Sequence, residues 1–252
     1  MDWIKINEWR EFLRDNVREE VDFSTTDQNN DIPMPPVEKP WVGGEVISLP
    51  GEETFDFQFK SFMDIIRDRE SRRVFDQTEM KLKELSFLLW ATQGVRSNKP
   101  NRILRHVPSA GNRHSAETYL AVFRVEGLKQ GIYRYLPLEH QIGLVRELPD
   151  LWDHVNKAAH MQLFASRCNV LFLWTSLPYR TEWRYGHASA KVFALDLGHI
   201  CQNLYLACEA IGYGTCAIAA YDQKASDQLL GVDGKDEFTV YLAPVGKQKT
   251  RS

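Results

Sequence analysis

Apolar residues recur at helical spacing from the start of the chain. Trp3, Ile6, Trp9, Phe12, Leu13 and Val17 share one side of a helix over residues 3–21, with charges on the others. A polar stretch from Ser24 to Pro50, carrying Pro33, Pro35, Pro36, Pro40 and Pro50, predicts an extended arm. With little of its own to bury, such an arm would wrap something, for instance a partner subunit. Phe59, Phe62, Met63, Ile65 and Ile66 predict a helix that runs into a basic segment at Arg67–Arg73. Thr78 precedes a second helix, Glu79 to about Val95, with Leu82, Leu85, Leu88 and Leu89 as its apolar face.

Strand patterns follow at residues 119–125 and 131–135, joined across a glycine-containing loop. Residues 148–164 read as helical. The short apolar run at residues 169–174 predicts a strand covered on both faces. The longest helical pattern covers residues 188–211, with Phe193, Leu197, Ile200, Leu204, Cys208 and Ile211 at steps of three and four. Gly212 and Gly214 stop it. Residues 217–220 continue as a loop or short strand, 223–230 as a brief helix and 238–245 as a final strand. Helices and strands interleave without a regular strand–helix repeat. The pattern thus divides the chain into an N-terminal helix with a Pro-containing arm over residues 1–56 and a folded unit over residues 57–252.

Composition narrows the class. A length of 252 residues with 43% hydrophobic and 26% charged positions fits a soluble globular protein. The formal net charge of -3 leaves no overall basic field for nucleic acid or an anionic membrane. No apolar run approaches the ~20 residues of a membrane span, and Met1-Asp2-Trp3-Ile4-Lys5 does not begin a signal peptide. Cys168, Cys201, Cys208 and Cys216 form no CxxC pair and do not cluster with histidine, which predicts reduced core thiols, no metal and a cytoplasmic setting.

Candidate chemistry gathers in a few segments. Arginine grips phosphate with a planar fork of donors, so Arg69, Ser71 and Arg73 form a possible phosphate site; the same run also reads as a solvated basic face. In Pro108-Ser109-Ala110-Gly111-Asn112-Arg113-His114, small residues let backbone N–H groups approach a flat polar ring, and Ser109 and Asn112 can both donate and accept. An ordinary turn is the other reading. Residues 212–222 offer chiefly main-chain donors, and Gly246-Lys247 with Lys249 and Arg251 could add phosphate contacts or fray. Asp196, His199 and Asn203 form a polar stripe on the long helix, read as a satisfied buried cluster. No Rossmann, P-loop, zincin or nucleophile-elbow motif is present.

The order of these pieces is distinctive. Arg69-x-Ser71-x-Arg73-x-Phe75, the stretch Leu85 to Val95, and Pro108-Ser109-Ala110-Gly111-x-x-His114-x-x-Glu117 are followed by Val125-Glu126-Gly127-Leu128 and Gly131-Ile132-Tyr133-Arg134-Tyr135. Then come Arg180-Thr181-x-Trp183-Arg184-Tyr185-Gly186, Asp196-x-Gly198-His199-x-x-Gln202-Asn203-Leu204 and Pro244-Val245-Gly246. In these stretches the chain resembles the nitroreductase-like flavoproteins, and within them the SagB-type dehydrogenase branch, over roughly residues 57–247. The resemblance implies an α+β sandwich, a mainly antiparallel sheet flanked by helices, in an intertwined homodimer. It implies FMN held by both subunits. Arg69, Ser71, Arg73 and Lys247 would hold the phosphate and ribityl end, and the backbone near Ala219 and Ala220 would donate to the hydride-carrying nitrogen. Pro108, Ser109, Ala110, Gly111, Asn112 and His114 would come from the partner's turn.

The reaction so implied moves hydride between a nicotinamide, NAD(P)H, or a small organic substrate and the flavin, which carries the hard chemistry itself. Members that oxidise peptide azolines use a lysine–tyrosine pair after the tryptophan. Here the pair is Arg184-Tyr185, assigned as the catalytic candidates, and arginine does not give up its proton near neutral pH. Azoline oxidation in modified-peptide biosynthesis and a catalytically silent flavin-binding protein are the alternative expectations.

Overall fold

In the computed structural model, which describes residues 1–99 and 102–249, the elements are α1 (Trp3–Glu11), β1 (Val46–Ser48), α2 (Phe62–Asp68), α3 (Leu82–Gln93), β2 (Val95–Lys99), β3 (Arg102–Arg105), β4 (Ala116–Val122) and β5 (Gly131–Leu136). After them come β6 (Gln141–Glu147), α4 (Leu151–Ala158), β7 (Val170–Ser176), α5 (Tyr179–Tyr185), α6 (Ala190–Ala210), β8 (Tyr213–Thr215), α7 (Gln223–Leu230) and β9 (Phe238–Lys247). Seven strands make one sheet in the order β1-β6-β5-β4-β7-β9-β8, each neighbouring pair antiparallel. β2 and β3 form a separate hairpin.

The apolar run read as a doubly covered strand is β7, in the middle of the sheet. Its alternate residues serve two cores, because successive side chains point to opposite faces. Val170, Phe172 and Trp174 pack with Leu85, Leu88, Leu89 and Leu204 of α3 and α6. Leu171 and Leu173 pack with Val155, Leu229 and Leu230 of α4 and α7. Helices on both faces of an antiparallel sheet are the expected α+β architecture. The four cysteines are buried and unbridged, and burial pushes the Cys168 and Cys201 thiols up to about 12. Among the described residues no helix is long and apolar enough to cross a membrane.

The N-terminal region departs from the periodicity. α1 ends at Glu11, and only a short 3₁₀ turn, Asn16–Glu19, follows. Lys191 Nζ takes the Leu13 carbonyl at 3.3 Å and the Asp15 carboxylate at 3.1 Å, drawing the chain off the helical path. The stretch from Ser24 to Pro50 is strapped to its own chain. Buried guanidiniums collect its carbonyls, Arg105 Nη2 donating to Val37 O at 2.8 Å and Arg134 Nη2 to Lys39 O at 2.7 Å, and β1 pairs with the edge strand β6. Trp41 lies where a Cβ on Gly143 would stand, 2.4 Å from its ring.

Several elements left no periodic signal. β2 and β3 are mostly polar because they lie off the main sheet, β6 is exposed at its C-terminal end, and α5 has only seven residues. One buried ion pair ties these late pieces to the sheet: Arg180 of α5 donates to Glu117 of β4 at 2.6 Å, with side chains 3% and 2% exposed. Glu117 also accepts from Lys39 N at 2.8 Å, and Arg180 Nη1 donates to His114 O at 3.1 Å. Removing one partner strands a buried charge. Arg180→Gln is therefore expected to cost about 3 kcal/mol in urea-unfolding stability; an unchanged unfolding midpoint would show that the pair is dispensable.

Candidate functional site

Why the basic segment lies where it does follows from two glycines. Gly214 of β8 and Gly246 of β9 are register partners. A Cβ on Gly214 would meet Arg72 Cδ at 2.6 Å, and one on Gly246 would meet Phe75 Cγ at 2.5 Å. The glycines leave room for residues 71–75 to lie along the sheet's end, where Ser71 bridges Thr215 and Phe75 bridges Gln248. Side chains then alternate. Arg72 turns toward Glu209, at 3.2 Å, and Glu70, at 2.6 Å. Ser71 Oγ instead meets the Tyr205 hydroxyl at 2.9 Å, and the Arg69 guanidinium lies 5.3 Å from the centre of the Tyr205 ring. Arg73 lies 5.7 Å from the Phe164 ring centre. Among the described residues neither Arg69 nor Arg73 meets a carboxylate.

The segment after α6 closes the same corner. Ala217 N donates to Tyr205 Oη at 2.8 Å. Ile218 exchanges backbone hydrogen bonds with Leu242, and Asp222 N donates to Ala158 O at 2.8 Å. Between these anchors Ala219 and Ala220 are exposed, and their N–H groups have no partner among the described residues. Gln162 fixes the Ala220 carbonyl at 2.8 Å. Lys247 lies on the other side of the basic segment, lining a polar cleft with Lys60, Arg72 and Lys249. Arg251 lies outside the described residues.

The second predicted segment is a strained turn. Gly111, Asn112 and His114 have φ of 56°, 58° and 48°, a left-handed region that glycine enters freely and asparagine tolerates. Asp196 of α6 holds it, accepting from Ser109 Oγ at 2.6 Å and Ala110 N at 3.1 Å. Ser109 Oγ in turn accepts from His114 N at 2.9 Å. Pro108 is exposed at its start. Burial, with Arg105, Arg113 and Arg180 close by, pushes His114 down to about 3, so its ring is neutral near pH 7. Asp196 is raised by burial against its two hydrogen bonds. Arg184 and Tyr185, at the end of α5, pack on this turn: a Cβ on Gly111 would stand 2.6 Å from Tyr185 Oη and 2.8 Å from Arg184 Cδ.

A single chain therefore makes two clusters, one at each end of α6. Arg69, Ser71 and Ala217 meet Tyr205, Arg73 lies beside Phe164, and Ala219 and Ala220 follow Ala217 on the same loop. Ser109, Ala110, Gly111, Asn112, His114, Arg184 and Tyr185 gather near Asp196. At about 1.5 Å per residue, the two helix positions are about 14 Å apart along the axis. His199 is exposed rather than part of a buried cluster, while Asn203 donates to Ala91 O at 3.0 Å. The residue-level reading missed Tyr205, whose hydroxyl joins Ser71 to Ala217. Its one signal was a polar tip inside an otherwise apolar pattern. A groove of about 730 Å³ between Pro35, Pro36 and Pro40 of the arm and Tyr179, Phe193 and Phe238 lies apart from the Tyr205 cluster.

The chain is similar to known proteins over most of its length. The Nitroreductase family model matches residues 66–247. The Methanocaldococcus jannaschii protein named "Putative nitroreductase MJ1384" is 31% identical over 186 residues, covering 73% of this chain and 90% of that one. Two solved structures named "putative nitroreductase" share the fold at 23% identity. The one from Ralstonia eutropha has a TM-score of 0.69, covering 87% of this chain and 97% of its own. The one from Anabaena variabilis has a TM-score of 0.68 and covers 84% of this chain, which spans only 40% of that longer protein. With a family model matching residues 66–247 and a relative 31% identical over 73% of its length, the chain belongs to the nitroreductase family.

Proposed function

We propose that the protein is an FMN-dependent oxidoreductase whose flavin site is completed by a second copy of the chain. The observation that carries this reading is the pairing of uncompensated charge with held donors around Tyr205. Arg69 and Arg73 have no carboxylate partner among the described residues, and the Thr215 hydroxyl beside Ser71 is buried without a hydrogen bond. Two backbone N–H groups, at Ala219 and Ala220, stand exposed on an anchored loop. An elongated ligand with a phosphate at one end and a hydrogen-bonding ring at the other satisfies both sets.

FMN fits those donors. Arg69, Arg73 and Ser71 would hold its phosphate and ribityl end, with Lys247 a further contact if its side chain swings across the basic segment. Ser109, Ala110, Gly111 and Asn112 of a second copy would line the ring edge. α6 supports that second copy: Leu195, Gly198, His199 and Gln202 form an exposed stripe at helical spacing between the two half-sites. When bound, FMN supplies hydride transfer to or from a nicotinamide or organic substrate. The chain's own work is to place the held Ala219 and Ala220 donors against negative charge on the ring and to keep water from its edge.

Arg184 lies 5.4 Å from the Tyr185 ring centre and Arg18 6.0 Å, so Tyr185 is left to donate a proton or orient a substrate. A guanidinium cannot act as the base there. This favours NAD(P)H-linked reduction of a small molecule over azoline oxidation, and it separates the protein from the azoline-oxidising members of the SagB-type branch.

Purified protein is expected to be yellow or to bind added FMN; a folded, colourless preparation that takes up none would sink the reading. Replacing both Arg69 and Arg73 by alanine removes two charge-assisted phosphate contacts and is expected to weaken FMN about 100-fold or more in an absorbance titration; unchanged affinity would return them to a solvated face. Anaerobic NADH or NADPH should bleach the bound flavin's absorbance, and persistence of colour with both would exclude a nicotinamide donor.

A further inference from the structure

Beside the strained turn lies a cavity of about 300 Å³ whose lining is basic on one side and apolar on the other. Arg102, Arg113 and Arg184 line it, and among the described residues no carboxylate does. None of the three forms an ion pair among the described residues. Arg113 is only 4% exposed. Its Nε donates to Arg180 O at 2.9 Å, but its Nη2 is buried with no hydrogen-bond partner. Burial above all, and then the neighbouring Arg184 and Arg180 charges, depress its pKa.

Two of the three guanidiniums are held in place. Arg113 stacks on Trp183, 4.9 Å from the ring centre, and the Trp183 indole is fixed by donation to Ile32 O at 2.9 Å. Arg184 lies against Gly111 and donates to Gln28 Oε1 at 3.3 Å. Met34, Val37 and Ile103 form the apolar wall. Holding the buried Arg113 beside Arg184 is costly unless an anion neutralises them, and forked donors, with the exposed Arg102 also lining the cavity, match a carboxylate or phosphate.

We propose that this cavity binds the carboxylate or phosphate of a small organic molecule with an apolar body. Gly111 and Asn112 belong both to this cavity and to the turn assigned to the flavin's ring edge, and Arg184 packs on that turn. On that reading of the function, which this step rests on, the anion is the handle by which an acidic substrate is anchored beside the ring. Anion binding itself needs neither flavin nor nicotinamide.

The test is calorimetric titration of the purified full-length protein with 4-nitrobenzoate and with its uncharged counterpart 4-nitrobenzyl alcohol. The acid is expected to bind at least about tenfold more tightly, and Arg102→Gln or Arg184→Gln to remove most of that difference while circular dichroism stays unchanged. Equal affinity for acid and alcohol, or full discrimination retained in both variants, would overturn the proposal. Competition separates the sources of the anion. Displacement of 4-nitrobenzoate by NADPH but not NADH would assign the cavity to the dinucleotide's extra phosphate, and displacement by neither would assign it to a substrate's acid group. Because heat is read rather than turnover, failure to bind FMN would leave this outcome legible by itself.

Discussion

Two side chains of α6 fix the halves of the candidate site. Asp196 accepts from Ser109 and Ala110 at one end, and Tyr205 joins Ser71 to Ala217 nearer the other. α6 runs as one α-helix from Ala190 to Ala210, so the separation between the halves is set by helix geometry at about 14 Å. On the proposed reading, a second copy packed along the exposed stripe of α6 and related by a two-fold axis would place one chain's Asp196 end beside the other's Tyr205 end. Such isologous contacts are the common form of dimer.

Charge follows the same division. At the Tyr205 end, Arg72 and Lys60 are spent on the buried Glu209 carboxylate, and Arg69 and Arg73 are left over. Toward the Asp196 end, Arg180 neutralises Glu117, while Arg102, Arg113 and Arg184 keep unbalanced charge around a cavity. Structural and available cations are thus interleaved in sequence: Arg72 stands between Ser71 and Arg73, and Arg180 precedes Arg184 by one helical turn. Backbone alternation and α-helical spacing decide which is which.

That interleaving explains what the sequence revealed and what it hid. The doubly covered β7, the long α6 and α7 were legible because their apolar periods reflect burial against a sheet. The hairpin β2–β3 and the seven-residue α5 were not, since one carries little apolar alternation and the other is too short to show a period. The arm's proline-rich composition predicts that it wraps something, for instance a partner subunit, and says nothing of the guanidiniums, from Arg105 and Arg134, that bind its carbonyls. At the site, the order of motifs located Arg69, Ser71, Arg73 and the turn at residues 108–114. The structure added Tyr205 and the basic cavity, which depend on contacts between segments far apart in sequence.

The claim that two chains share each site is tested most directly by a mixed dimer. One copy would carry Arg69→Ala with Arg73→Ala, the other Gly111→Val, whose side chain has no room beside Tyr185. Differently tagged copies would be co-expressed and the heterodimer purified. A shared site predicts that both homodimers lose FMN while the heterodimer regains about one flavin per two chains, since one of its two sites receives only intact segments. A heterodimer as empty as either parent would contradict the account.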